Sequence, residues 1–136
     1  METTATTTRL REAPATRFDG HQHAFDLLEL SAYLLNEAHP GEHGHRQMTI
    51  FKGAATTIVL FAFEAGGTLS DHKANGLVTI HALDGALTIS AEEQTHALSA
   101  GQLLVLDAGV MHNVTAQEAS RMLLTVHLEK GAAARL

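Results

Sequence analysis

Histidine carries most of the chemistry available to this sequence: there are ten, against one Tyr, no Trp and no Cys. A neutral imidazole ligates transition metals, accepts hydrogen bonds and titrates near neutral pH. The absence of cysteine removes thiolate metal sites and disulfides. No Gly-x-Ser-x-Gly segment occurs, so acyl transfer through a serine nucleophile has no foothold. Three of the histidines, His39, His43 and His45, crowd around Pro40, Gly41 and Gly44. A flexible His-rich loop binds metal weakly and unselectively, so this one reads as an exposed polar connection. His96 follows Glu92-Glu93-Gln94, a turn signal, and reads as solvated; Arg46 and Lys52 flank a strand and read the same way.

The bulk properties narrow the partners. The net charge is −6, from 15 Asp and Glu against 9 Lys and Arg, and the basic residues are scattered singly. Nucleic acid and anionic membrane surfaces both reward clustered Lys and Arg, so neither is expected as a partner. No stretch approaches the ~20 apolar residues of a membrane-spanning helix. Met1 to Thr8 is Thr-rich, carries Glu2 and has no basic start followed by an apolar block, unlike a secretory signal. The expected location is cytoplasmic.

A single domain with its own core is the expectation for 136 residues. Residues 1–20 lack apolar periodicity and read as a flexible tail, as do 130–136. Within 21–45, before the His-rich loop, Leu27, Leu30 and Leu34 recur at helical spacing, with Leu28 and Leu35 widening the stripe. Asp26 and Glu29 resemble a capping pair, so the spacing predicts a short helix over 26–35, its apolar face buried on the body of the protein or on a second subunit. From 46 to 129 the character is β. Thr56 to Phe63, Leu77 to Leu83, Leu87 to Ile89, Leu103 to Leu106 and Arg121 to Leu128 are apolar and β-branched runs punctuated by Gly. Asp84-Gly85 between two such runs signals a tight hairpin. Short strands at this spacing predict an all-β antiparallel sandwich or barrel.

Two blocks within this region resemble the cupin superfamily, the RmlC-like jelly rolls. Gly66 is followed at the motif spacing by His72, and Gly85 closes the first block; Gly101, Gly109 and His112 reproduce the second. The resemblance covers about residues 46–128 and implies a jelly-roll β-barrel, with a homodimer as the usual assembly. In family members with full motifs, two His and a Glu of the first block and the His of the second hold one divalent metal. Here Ala74 stands at the second His and Val78 at the Glu, while Asp107 replaces a Pro and Ala116 the final Asn. Only His72 and His112 remain of the four ligand positions.

Two imidazoles fall short of the three protein ligands of a catalytic zinc or the two His and one carboxylate of a non-haem iron site. Strand alternation sets Ile80 and Ala82 on the face of Val78, which makes that interior wall apolar and turns Thr79 and His81 away unless a bulge shifts them. Asp71 or His127 could complete a metal set only by facing the same interior. Two functions follow. One is a binding module whose lumen, formed by His72, His112, Val78, Ile80 and Ala82, holds a small molecule with the histidines as polar anchors. The other is a metal-dependent enzyme of the dioxygenase or isomerase type, with Fe, Mn, Ni or Zn on His72 and His112 and a third ligand from Asp71, His127 or the His-rich loop. A sugar epimerase with a His–Tyr acid/base pair is disfavoured, because the single tyrosine, Tyr33, falls in the predicted helix.

Overall fold

The structure, a computed structural model, describes residues 20–37 and 41–128. The terminal tails expected at 1–20 and 130–136 thus lie almost wholly outside the described residues, as do His39 and Pro40 of the His-rich loop. Helix α1 spans Leu27–Leu35, and the Asp26 carboxylate accepts the Glu29 backbone N–H at 3.1 Å, which caps it. Nine strands follow: β1 (His45–Lys52), β2 (Thr56–Phe63), β3 (Thr68–His72), β4 (Gly76–Asp84), β5 (Ala86–Ala91), β6 (Gln94–Ser99), β7 (Leu103–Leu106), β8 (His112–Ala116) and β9 (Ser120–Leu128). They form two antiparallel sheets, ordered β1-β2-β9-β4-β7 and β3-β8-β5-β6. This is the jelly-roll arrangement, and no helix of the described residues is long and apolar enough to cross a membrane.

Alternation decides which side chains fill the space between the sheets. On β4, Val78, Ile80 and Ala82 are buried while Thr79, His81 and Leu83 are half-buried on the opposite face. The inner set packs with Phe61, Phe63, Leu87, Ile89, Val114, Ala116, Met122 and Leu124 in one apolar core. Ile80, Ile89 and Met122 are fully buried, and a side chain of that size contributes roughly 1.5–3 kcal/mol when removed from water. A second, smaller core lies on the outer face of the five-stranded sheet. There Leu34, Leu27 and Leu30 of α1 cover Met48, Ile50, Leu60 and Ala62 of β1 and β2. The helix therefore buries its stripe on its own chain. Leu28 and Leu35, expected to widen that stripe, instead face outward at 69% and 54% exposure.

One turn departs from its sequence signal. Asp84-Gly85 does not make a hairpin, because β4 pairs with β7 and β9 whereas β5 pairs with β6 and β8. The chain crosses from one sheet to the other at this point. Gly85 has a φ of +79°, and a Cβ there would sit 2.1 Å from the Ser120 Oγ, so both conformation and space demand glycine. The tight hairpin joins β5 and β6 instead, with Ala91 opposite Gln94 and Glu92 at a φ of +55° in the turn.

Candidate functional site

His72 and His112 enter the site from neighbouring strands. Their Cα atoms are cross-strand partners in the β3–β8 pair, and their ring centroids lie 4.2 Å apart at an interplanar angle of 59°. On β8 the alternation buries His112 with Val114 and Ala116, so its ring faces the interior between the sheets. The partner on β3 is selected by a bulge. Leu69 pairs with Val114, but the next inward residue of β8 pairs with His72, three positions on rather than two. Without that extra residue Asp71 would stand opposite His112. An inserted residue re-aims the side chains that follow it. Here it turns His72 inward and Asp71 outward, where Asp71 accepts a 2.7 Å hydrogen bond from the Asn113 side-chain amide.

The hydrogen bonds fix the tautomers. Nδ1 of His72 lies 3.0 Å from the Ser70 carbonyl oxygen, and Nδ1 of His112 lies 3.0 Å from that of Val110. A carbonyl only accepts, so each Nδ1 carries a proton and donates it. In the neutral ring Nε2 is then a lone-pair acceptor. His112 is 1% exposed, and its Nε2 is buried with no hydrogen-bond partner. Burial lowers the His112 pKa below the ordinary 6.5; the bond to the Val110 carbonyl acts against that shift, and the neighbouring His72 reinforces it. The buried ring is held neutral, with its acceptor idle.

The remaining sequence candidates divide between this core and the outer face. Val78, Ile80 and Ala82 are buried in the same core that His112 faces. His127 pairs with Leu77 rather than with Val78, which puts it on the outer face, where its Nδ1 is 3.4 Å from the Thr56 hydroxyl. The register shift between β4 and β9 falls after Ala82, beyond His81, so His81 stays on the outer face opposite Leu103 and Leu123. His45 opens β1, packs against the Phe61 and Phe63 rings and has its Nδ1 2.8 Å from the Thr68 carbonyl oxygen, tying β1 to β3. Neither Asp71 nor His127 joins the pair. Among the described residues no three of His, Cys, Asp or Glu converge on a point that could hold a metal. The two imidazoles alone do not fit a protein-held catalytic metal, which takes at least three such ligands.

A cavity of about 620 Å³ lies between the edges of the two sheets, lined by residues of β6 and β7 and the turns that flank them. Its lining includes Gln94 and His96; His96 reads as solvated from the sequence but is half-buried here. The missed signal is alternation: on β6, Gln94 and His96 share the face of the buried Leu98. Ala91, which also lines the cavity, is the cross-strand partner of His112.

By sequence, no family model and no curated protein matches this chain. Solved structures do. A cupin superfamily protein from Desulfitobacterium hafniense matches with a TM-score of 0.65 at 18% identity, over 83% of this chain and 96% of that one. An RmlC-like cupin from Desulfovibrio desulfuricans gives 0.64 at 22% identity, over 79% and 97%. A conserved protein of unknown function from Streptococcus pyogenes gives 0.64 at 24% identity, over 82% and 91%. The two antiparallel sheets agree with these likenesses: the chain has the cupin fold of the RmlC-like jelly rolls.

Proposed function

We propose that this cupin-fold chain binds a small molecule through the His72–His112 pair, which accepts hydrogen bonds from a donor-bearing group of the ligand. The observation that carries the reading is the idle Nε2 of His112. A buried acceptor with no partner costs about 1–3 kcal/mol, and such a group in a native protein calls for an occupant. Both rings have their Nδ1 protons engaged by backbone carbonyls, so both Nε2 atoms are acceptors prepared for the same ligand. Among the described residues no carboxylate joins the two rings, and Asp71 is held outside by Asn113. That favours a binding module over an acid–base enzyme. The metal-dependent alternative lacks a third ligand among the described residues, so no step through a metal is derived.

The test is a nitrogen-resolved NMR titration of the imidazoles with phenol, pyrazole and ethylene glycol, together with the metal content of untagged protein. The expected result is a shift of the His112 Nε2 resonance with at least one probe, lost in His72→Ala, with metal far below one equivalent. Near-stoichiometric metal that disappears in His72→Ala or His112→Ala overturns the metal-free reading. Indifference of both rings to all three probes overturns the site.

A further inference from the structure

We propose that the ligand of this pair enters through the seam between β6 and β7, and that it is a small amine: a hydrogen-bond donor at its inner end, an apolar body, and an ammonium group outside. The inference rests on the reading of the His pair given above.

Register connects the seam to the pair. Gln94 pairs with Ala91, Ala91 with His112 and His112 with His72, so one cross-strand row runs from β6 to β3. Directly opposed residues point their side chains to the same face, with Cβ atoms roughly 5 Å apart. Gln94 and Ala91 line the 620 Å³ cavity at one end of the row, and the idle Nε2 belongs to the next residue along. Val110, whose carbonyl holds the His112 ring, lines the cavity too. His112 itself is not part of the lining; Ala91, which is, is its direct cross-strand neighbour in this row.

The lining sets the chemistry. Ala91, Leu104, Leu106 and Val110 provide an apolar wall, and Gln94 and His96 add polar groups. Three exposed carboxylates, Glu92, Glu93 and Asp107, line the cavity, and among the described residues neither Lys nor Arg does. Against these residues a carboxylate or phosphate ligand would meet like charge, whereas an ammonium meets three anions. At the inner end His112 offers an acceptor, so the ligand there must donate.

The probes are tyramine and its carboxylate counterpart 3-(4-hydroxyphenyl)propionate, titrated into the labelled full-length chain. Tyramine is expected to shift the amides of Ala91, His96 and Leu104 and the Nε2 of His112, and to bind roughly tenfold more tightly than the carboxylate at low salt. The surface variant Glu92→Gln/Glu93→Gln/Asp107→Asn should erase that preference, and Ala91→Leu, checked for folding by its amide spectrum, should block the His112 response. Equal binding of the two probes, or failure of tyramine to bind, overturns the amine assignment. A His112 response that survives Ala91→Leu overturns the seam route. In either event a shift of the histidine by phenol leaves the site itself standing, whereas silence of both rings to every probe removes the site as well.

Discussion

Ser120 and His112 are both buried polar side chains of this sandwich, and their two regions differ in how completely such groups are satisfied. At the crossing between β4 and β5, the Ser120 hydroxyl accepts the Ala86 N–H at 3.0 Å and lies 2.7 Å from the Glu118 carbonyl oxygen. Beside it, the Asp84 carboxylate accepts the Arg121 backbone N–H and the Arg121 Nε–H, both at 2.7 Å, and the guanidinium closes an ion pair. In the β3–β8 pair, His112 is just as deeply buried, and half of its hydrogen-bonding capacity is unused. The first region spends its polar groups on holding the chain where it changes sheets. The second keeps one in reserve, and a reserved acceptor has value only when something else supplies the donor.

Substitutions sharpen the contrast. Gly85→Val should destabilise most, by roughly 3 kcal/mol or more, because it combines a positive φ with a clash against Ser120. Urea denaturation would read this as a large fall in midpoint, and an unchanged midpoint would show the crossing to be plastic. Ser120→Ala should cost about 1–3 kcal/mol by leaving the Ala86 N–H without its acceptor, while the His112 response to phenol is retained. Asp84→Asn should cost only about 0.5 kcal/mol, since the ion pair is partly open to solvent. His112→Leu should leave thermal stability within about 1 kcal/mol of the parent, or raise it, while abolishing the phenol response. A strongly destabilised His112→Leu would mean that this histidine is structural, and the contrast between the two regions would fail.

Acid gives the smallest effect. The folded-state pKa of His112 is depressed, so the unfolded chain takes up a proton first, near 6.5. Between that value and the lower folded one, the unfolded state binds more protons, and stability falls as the pH falls. Above 6.5 the group contributes no pH dependence. Denaturation midpoints of the parent and of His112→Leu, compared from pH 8 to pH 5, should run parallel above 6.5, and below it the parent should lose stability relative to the variant. Parallel curves throughout would contradict a desolvated ring.

Much of this molecule is written locally. The strands β2, β4, β7 and β9 match the apolar runs of the sequence to within one residue at each end, because a pleated strand buries alternate side chains and a turn needs residues that tolerate its dihedral angles. The helix and its Asp26 cap follow from spacing within one segment. The inner position of Val78, Ile80 and Ala82 follows from the period of two. His72 and His112 are found by their distance from glycines, a pattern that no single-segment property contains.

Tertiary structure decided the rest. Asp84-Gly85 carries a hairpin signal, but only the pairing of β4 with β9 and of β5 with β8 determines that the chain crosses between sheets there. Asp71 and His72 are neighbours with equal claims on the interior, and a bulge set by the β3–β8 register admits one and turns the other out. His96 looks solvated beside its turn and proves to line a cavity only because β6 and β7 are the facing edges of two sheets. The amino-acid sequence thus determined which segments are strands, through alternation and turn chemistry that act over a few residues. Which side chains share a space depended on register and sheet order, which arise from pairings between residues about twenty to fifty positions apart that no local period encodes.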